Sequence, residues 1–167
     1  MVVVNRAAGS EWRLVRAARL DALAEAPYAF GSTLQRELAV GEAVWQQRVQ
    51  DGTWFLARDH GEVVGLACAV TEEARPRQRR LEAMWVRPPH RGGGAASSIV
   101  AAVVDWAQAE GAQAVCLWVA DGNPRARRFF ERCGFAATGQ RRPLPSAPGV
   151  AVGEWCRSVG RATVEDS

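Results

Sequence analysis

The sequence predicts a mixed α/β protein, one sheet of about seven strands flanked by about four helices. Three observations predict it. Short β-rich apolar runs are interleaved with stretches of helical periodicity along the chain. An apolar strand, Leu81 to Val86, leads into three consecutive glycines and then a helix. The length, 167 residues, suffices for one packed core and leaves little for a second. We therefore expect one domain over residues 1–157 and a flexible tail over 158–167.

Each element has its own warrant. Val2 to Asn5 reads as a short strand. Ser10 and Glu11 open a helix in which Trp12, Val15, Leu20 and Leu23 recur at helical spacing until Pro27 stops it. After a loop from Tyr28 to Thr33, Val44, Trp45 and Val49 share a face of a second helix over Leu38 to Val49. Thr53 to Arg58 and Val63 to Thr71 are β-rich runs joined by Asp59-His60-Gly61-Glu62, a hairpin turn. Arg75 to Arg80 reads as a basic connector, and Leu81 to Val86 as a buried central strand interrupted by one carboxylate, Glu82. Pro88 and Pro89 end that strand. Ala95 to Glu110 is a helix with Ile99, Val103 and Trp106 on one face and Gly111 at its end. Ala114 to Ala120 is another buried strand. Asn123 and Pro124 start a helix whose inner face carries Ala126, Phe129, Phe130 and Cys133, and Gly134 ends it. Phe135 to Gln140 and Val150 to Cys156 complete the strands, with a mobile loop from Pro143 to Gly149 between them.

Composition excludes several functions. All 21 basic residues are arginine, so a P-loop, which needs a lysine on the phosphates, and Schiff-base catalysis, which needs a lysine amine, are both ruled out. Cys68, Cys116, Cys133 and Cys156 are widely spaced in apolar segments, the pattern of reduced core thiols rather than of a disulfide framework or a zinc site. With two histidines, His60 and His90, and no paired metal-ligand spacing, no metal is expected. No apolar stretch is long enough to span a membrane, and the first residues do not read as a secretory signal, so a cytoplasmic location is expected. A net charge of +3 and no aromatic interleaving in the basic run argue against nucleic acid as a partner.

A glycine loop that leaves a strand and opens a helix gathers bare backbone N–H groups at the positive end of a helix dipole, an arrangement suited to a pyrophosphate. Arg91 adds a charge beside it. The run Arg91-Gly92-Gly93-Gly94-Ala95-Ala96 is not GxGxxG, and no acidic partner for a ribose follows at the required distance, so a nicotinamide dinucleotide is not read. On spacing alone, a plain glycine-rich turn remains an equal reading.

Arg91 to Ala96 resembles the first signature of the GNAT family of N-acetyltransferases, Arg/Gln-x-x-Gly-x-Gly/Ala. Asn123 to Phe135 resembles its second, Asn-x-x-Ala-x-x-Phe-Tyr-x-x-x-Gly-Phe, placed one strand further on. With the stretch Ala26 to Ser32, the resemblance reaches to about Trp155. It implies a central, mostly antiparallel mixed sheet and acetyl-CoA as cosubstrate. It also implies direct transfer of the acetyl group to a primary amine of a small molecule. A protein N-terminus or lysine as acceptor, or a non-catalytic coenzyme A module, are the alternatives. Relatives often form dimers through their last strands, which leaves a homodimer open.

The resemblance also assigns residues. Met84, Trp85 and Val86 would bond the pantetheine arm through their backbone. The loop at Gly92, Gly93, Gly94, Ala95 and Ala96, beside Arg91, would hold the pyrophosphate, and Asn123 would approach the arm. For the base we single out Glu82, a carboxylate in an apolar strand that should be partly desolvated and act through water. Its alternative is a solvated pair with Arg79 or Arg80. Phe130 stands where relatives carry a tyrosine that protonates the leaving thiolate. The only tyrosine, Tyr28, lies in a loop that borders the acceptor site in relatives and is the substitute candidate, against an ordinary loop aromatic. Trp45, Trp54, Trp85 and Trp118 either line an acceptor pocket or belong to the core.

Overall fold

The computed structural model describes residues 1–27 and 30–160. Seven strands, β1 (Val2–Arg6), β2 (Thr53–Asp59), β3 (Glu62–Glu72), β4 (Arg75–Val86), β5 (Ala114–Ala120), β6 (Ala136–Leu144) and β7 (Ala147–Ser158), form one sheet in the order β1-β2-β3-β4-β5-β7-β6. The helices are α1 (Trp12–Glu25), α2 (Leu34–Leu38), α3 (Glu42–Asp51), α4 (Ala95–Ala109) and α5 (Pro124–Arg132). The expected seven-stranded mixed α/β fold is the one found, with the five-residue α2 added to the four expected helices. Among the described residues no helix is long and apolar enough to cross a membrane.

β2 shows why helices cover both faces. Its first five residues, Thr53 to Ala57, are all buried, as a strand covered on both sides requires. Phe55 and Ala57 pack in one cluster with Ile99, Val103 and Ala107 of α4. Trp54 and Leu56 pack in another with Val15 and Leu23 of α1 and Trp45 and Val49 of α3. The β2–β3 turn is formed by His60 and Gly61, both with positive φ (49° and 83°), the requirement of a two-residue hairpin.

Four expectations need correction. The basic connector Arg75 to Arg80 is the first half of β4: Arg75 lies opposite Glu72, and Arg75, Arg79 and Arg80 are engaged by groups of β3, β7 and β4 itself. Arg75 pairs with Glu154 of β7 (2.8 Å), and Arg80 with Glu72 and Glu82. Buried Arg79 donates through Nη1 to the carbonyls of Pro76 and Gln78. Second, the mobile loop from Pro143 to Gly149 is the tip of the β6–β7 hairpin, with Leu144 opposite Ala147. Third, the second helix starts at Glu42 rather than Leu38, because Gly41 interrupts it and serves as its N-cap.

The fourth correction concerns the cysteines. Cys116 of β5 and Cys156 of β7 are direct cross-strand partners, and their sulfurs are bonded; Cys68 and Cys133 are free thiols. Glu154 lies beside the bonded pair, but it already accepts from Arg75 and Thr138, so this grouping is not an open ligand set. Of the expected tail, Val159 is buried and its N–H donates to the Gln113 carbonyl (2.9 Å), while residues 161–167 lie outside the described ones.

Two irregularities of β4 position the site. β4 and β5 are the parallel neighbours, and they pair only from Gln78 opposite Ala114 to Arg80 opposite Cys116. Beyond that point β4 runs on to Val86 and β5 to Ala120 without pairing to each other, so the sheet opens as a wedge. Within the unpaired stretch β4 carries a bulge: Cys68 faces Glu82 and Leu66 faces Trp85, leaving Ala83 and Met84 opposite Ala67 alone. Ala83 adopts φ of 55°, a left-handed conformation that a residue with a Cβ adopts only when its surroundings impose it. The extra residue puts Glu82 and Trp85 on the same face, toward α1.

Candidate active site

The glycine loop follows the splayed end of β4. Gly92 and Gly94 have φ of 84° and 88°, and Gly94 is the left-handed N-cap of α4. This turn aims consecutive N–H groups outward. From Gly92 to Ser97 none of them has an acceptor among the described residues, and the first α4 hydrogen bond runs from Ser98 N–H to the Gly94 carbonyl. The loop itself is exposed. Six unsatisfied donors at the positive end of a 15-residue helix make an anion site.

Arg91 is engaged within the protein. Its Nη2 donates to Glu25 Oε2 (2.7 Å) and its Nε to the Val86 carbonyl (2.9 Å), so it ties the loop to the end of α1 and to β4. Trp85 is buried, and its indole Nε1 donates to the same Glu25 oxygen (2.8 Å). The Arg91 bond, then the Trp85 bond, hold the Glu25 carboxyl below its ordinary value. Trp85 is thus part of the loop's support rather than of an acceptor pocket.

Met84, Val86, Ala95, Ala96 and Phe130, five of the residues assigned to the cofactor, belong to or pack against the cluster on the α4 side of the sheet, whereas Trp85 lies on the α1 side. Phe130 meets the rings of Phe129 and Phe135 edge-on at 5.0 and 5.6 Å. Asn123 caps α5, its Oδ1 accepting from Ala126 N–H (3.1 Å), and it is exposed. Tyr28 lies outside the described residues.

On the α1 side the wedge opens into a cavity of about 840 Å³ lined by β4, β5, α1, α3 and the β6–β7 hairpin. Glu82 stands in its wall. The expected desolvation is absent: its side chain is 45% exposed, and Oε2 accepts from Arg80 Nε at 3.1 Å, which is the solvated pair named as the alternative. Oε1 has no hydrogen-bond donor among the described residues. Trp45, Trp54 and Trp118 line it too, and Arg142 lies over the Trp118 ring at 4.1 Å. Cys68, opposite Glu82, also faces it. Burial, with the Glu82 charge adding to it, pushes this thiol up to about 12, so at neutral pH it is protonated and a poor nucleophile.

Three charged residues of the site were not singled out from the sequence. Glu25 could not be, because its partners are 60 and 66 residues away. Glu37, buried in the cavity wall, accepts from Ser32 Oγ (2.8 Å) and Arg48 Nη1 (2.7 Å). Arg19 had a signal: it falls four residues after Val15 and four before Leu23, on the buried stripe of α1. An arginine in an apolar stripe is the kind of misfit that marks a site.

The sequence profile described as the Acetyltransferase (GNAT) family matches residues 17–135, and the chain belongs to this family. Uncharacterized N-acetyltransferases of Mycobacterium bovis and Mycobacterium tuberculosis are 34% identical to it over 85 residues, 51% of this chain. The chain spans about half the length, 53%, of these curated relatives. Among solved structures, a phosphinothricin acetyltransferase from Sinorhizobium meliloti in complex with acetyl-CoA superposes with a TM-score of 0.78 at 17% identity, covering 99% of this chain and 92% of that one. A GNAT acetyltransferase from Streptococcus pneumoniae gives 0.77 at 15%, covering 96% and 100%. A ribosomal-protein-alanine N-acetyltransferase from Brucella melitensis gives 0.72 at 17%, covering 93% and 99%. At these identities the structures share the fold.

Proposed function

We propose that this chain is an N-acetyltransferase that passes an acetyl group from acetyl-CoA to the primary amine of a small molecule by direct attack. One observation carries the reading: a single strand, β4, bears a carboxylate facing a cavity on one side of the sheet and runs on into a loop of unsatisfied N–H donors. A volume of about 840 Å³ suits a small acceptor. Acetyl-CoA would supply the activated thioester.

The chain's part is to bind, orient and move one proton. The unpaired edge of β4 from Met84 to Val86 offers backbone groups to the pantetheine arm, and the N–H groups of Gly92 to Ala96 offer donors to the pyrophosphate. Asn123, the α5 cap, would approach the same arm. Glu82 Oε1 takes the ammonium proton of the acceptor through water, while Arg80 on Oε2 keeps the carboxylate oriented. Cys68, held as a thiol, is unsuited to a covalent acyl intermediate, which favours direct attack. Phe130 has no proton to give, and a thiol is acidic enough to leave without a donor.

The test is a thermal-shift series with acetyl-CoA, coenzyme A, ATP and NAD, followed by thiol release with an amine panel. A ligand at about a hundred times its Kd adds roughly 2.7 kcal/mol. Stabilisation by acetyl-CoA and coenzyme A alone, with amine-dependent thiol release, is expected. No stabilisation by either overturns the reading.

A further inference from the structure

Among the described residues, two buried donors of the acceptor cavity have no acceptor. Arg19 is 8% exposed and Trp45 1%, both line the cavity, and neither Arg19 Nη1 nor Trp45 Nε1 has an acceptor among the described residues. Leaving such groups unsatisfied is costly, more so for a charged one, and the great majority of buried polar groups are paired. The local carboxylates do not meet the need. Glu37 lies nearest in charge, but its two oxygens accept from Ser32 and Arg48, and Glu82 is bonded to Arg80. Phe30 offers Arg19 only a ring face at 4.8 Å, which uses none of its N–H groups.

The charges on the cavity wall tell the same story. Arg48 and Arg80 have carboxylate partners, whereas Arg19 and Arg142 have no carboxylate bonded to them among the described residues. Both unsatisfied atoms are donors and neither is an acceptor, so the missing partner brings oxygen lone pairs and negative charge. Burial pulls the Arg19 guanidinium below its ordinary value, with Glu37 and then Glu82 opposing it, and Arg19 and Glu82 line the same cavity. An anion at Arg19 and an amine at Glu82 are therefore within one cavity.

We propose that the acceptor amine carries its own oxyanion, a carboxylate or a group of similar size, and that Arg19 binds it, with Trp45 Nε1 as a second donor. This rests on the acetyltransferase reading for the role of Glu82, but the anion site itself is tested by binding. A planar guanidinium with a free Nη fits a carboxylate, and a charge-assisted bond in a desolvated cavity discriminates strongly against a neutral isostere. The cavity then selects an amino acid or related amino-carboxylate over a simple amine.

The experiment pairs each of a set of L-amino acids with its α-carboxamide, which keeps the amine and removes the negative charge. Binding is read by thermal shift and calorimetry with and without saturating acetyl-CoA, and turnover by thiol release. Wild type should bind at least one acid about tenfold or more tightly than its amide. Arg19→Met should abolish that preference while keeping or raising the melting temperature, since it removes a buried unpaired charge. Should Arg19→Met fail to fold, Trp45→Phe, which deletes only an unsatisfied donor and some volume, should narrow the same ratio. Equal binding of acids and amides, or a preference that survives in the folded Arg19→Met protein, overturns the proposal and leaves the acetyltransferase reading standing. Acid-selective binding without response to acetyl-CoA or thiol release sustains the anion site and overturns the transfer reaction.

Discussion

Substituting the three loop glycines by alanine one at a time separates backbone conformation from space. Gly92 and Gly94 have φ of 84° and 88°, whereas Gly93 has no positive φ. A Cβ at Gly92 meets nothing within 4 Å, at Gly94 only Ser97 Oγ at 4.0 Å, and at Gly93 only the His90 carbonyl at 3.8 Å. No clash contributes, so the cost is that of forcing a residue with a Cβ into the left-handed region, about 1–2 kcal/mol at Gly92 and Gly94. At roughly 2–4 °C per kcal/mol for a chain of this size, each should lower the melting temperature by about 2–8 °C, and Gly93→Ala should change it little. Relaxation of the strained loop also turns its N–H groups away from a common point, so coenzyme A should bind Gly92→Ala and Gly94→Ala about tenfold or more weakly. Circular dichroism melts and calorimetric titration with coenzyme A read both effects. A Gly93→Ala protein as destabilised as Gly94→Ala, or a Gly94→Ala protein that binds coenzyme A normally, would refute the assignment of the left-handed turn as the feature that builds the anion site.

Glu82→Gln should lower kcat/KM by about 10²-fold or more, with the deficit shrinking as pH rises toward the acceptor's own pKa, where the amine needs no base; equal activity across the pH range removes Glu82 from the reaction. Glu25 is held below its ordinary value by Arg91 and Trp85, so its contribution to stability is complete above the unfolded pKa, about 4.3, and is lost only as pH falls through the lower folded value. Glu25→Gln should therefore melt earlier than wild type at neutral pH and converge with it in strong acid, and a pH-independent gap would contradict the ionic clamp. The Cys116–Cys156 bond closes a loop of 40 residues' separation, so reduction should cost about 2–4 kcal/mol in urea unfolding. A Cys116→Ser/Cys156→Ser protein should be insensitive to reductant, and thiol titration of the unreduced unfolded chain should find only Cys68 and Cys133.

What the sequence concealed has a common physical cause. Periodicity and turn chemistry are local, and they sufficed for the strand Leu81 to Val86, the glycine loop, the α4 and α5 helices and the His60-Gly61 turn. β4 is also the strand whose first half was misread, because four of the six residues Arg75 to Arg80 are cations, of which Arg79 is buried and Arg80 half-buried, and a cation reads as solvent-facing until its partner is known. Two of those partners, Glu72 of β3 and Glu154 of β7, sit on other strands that only the sheet brings beside Arg80 and Arg75, while Glu82 lies two residues further along β4. The disulfide was hidden in the same way, since register, not spacing, puts Cys116 opposite Cys156. For the site the division is sharper. Glu82 could be found from the sequence, but not its orientation, which depends on a bulge at Ala83 that no residue type announces. Arg19 is the opposite case. Its position on the Val15–Leu23 stripe was readable, and burial there is explicable if the energy that desolvates a guanidinium is returned when an anion binds. On that view the misfit in the α1 stripe is the part of the sequence that carries acceptor specificity, while the glycine loop supplies N–H donors for an anion and β4 the carboxylate that faces the cavity.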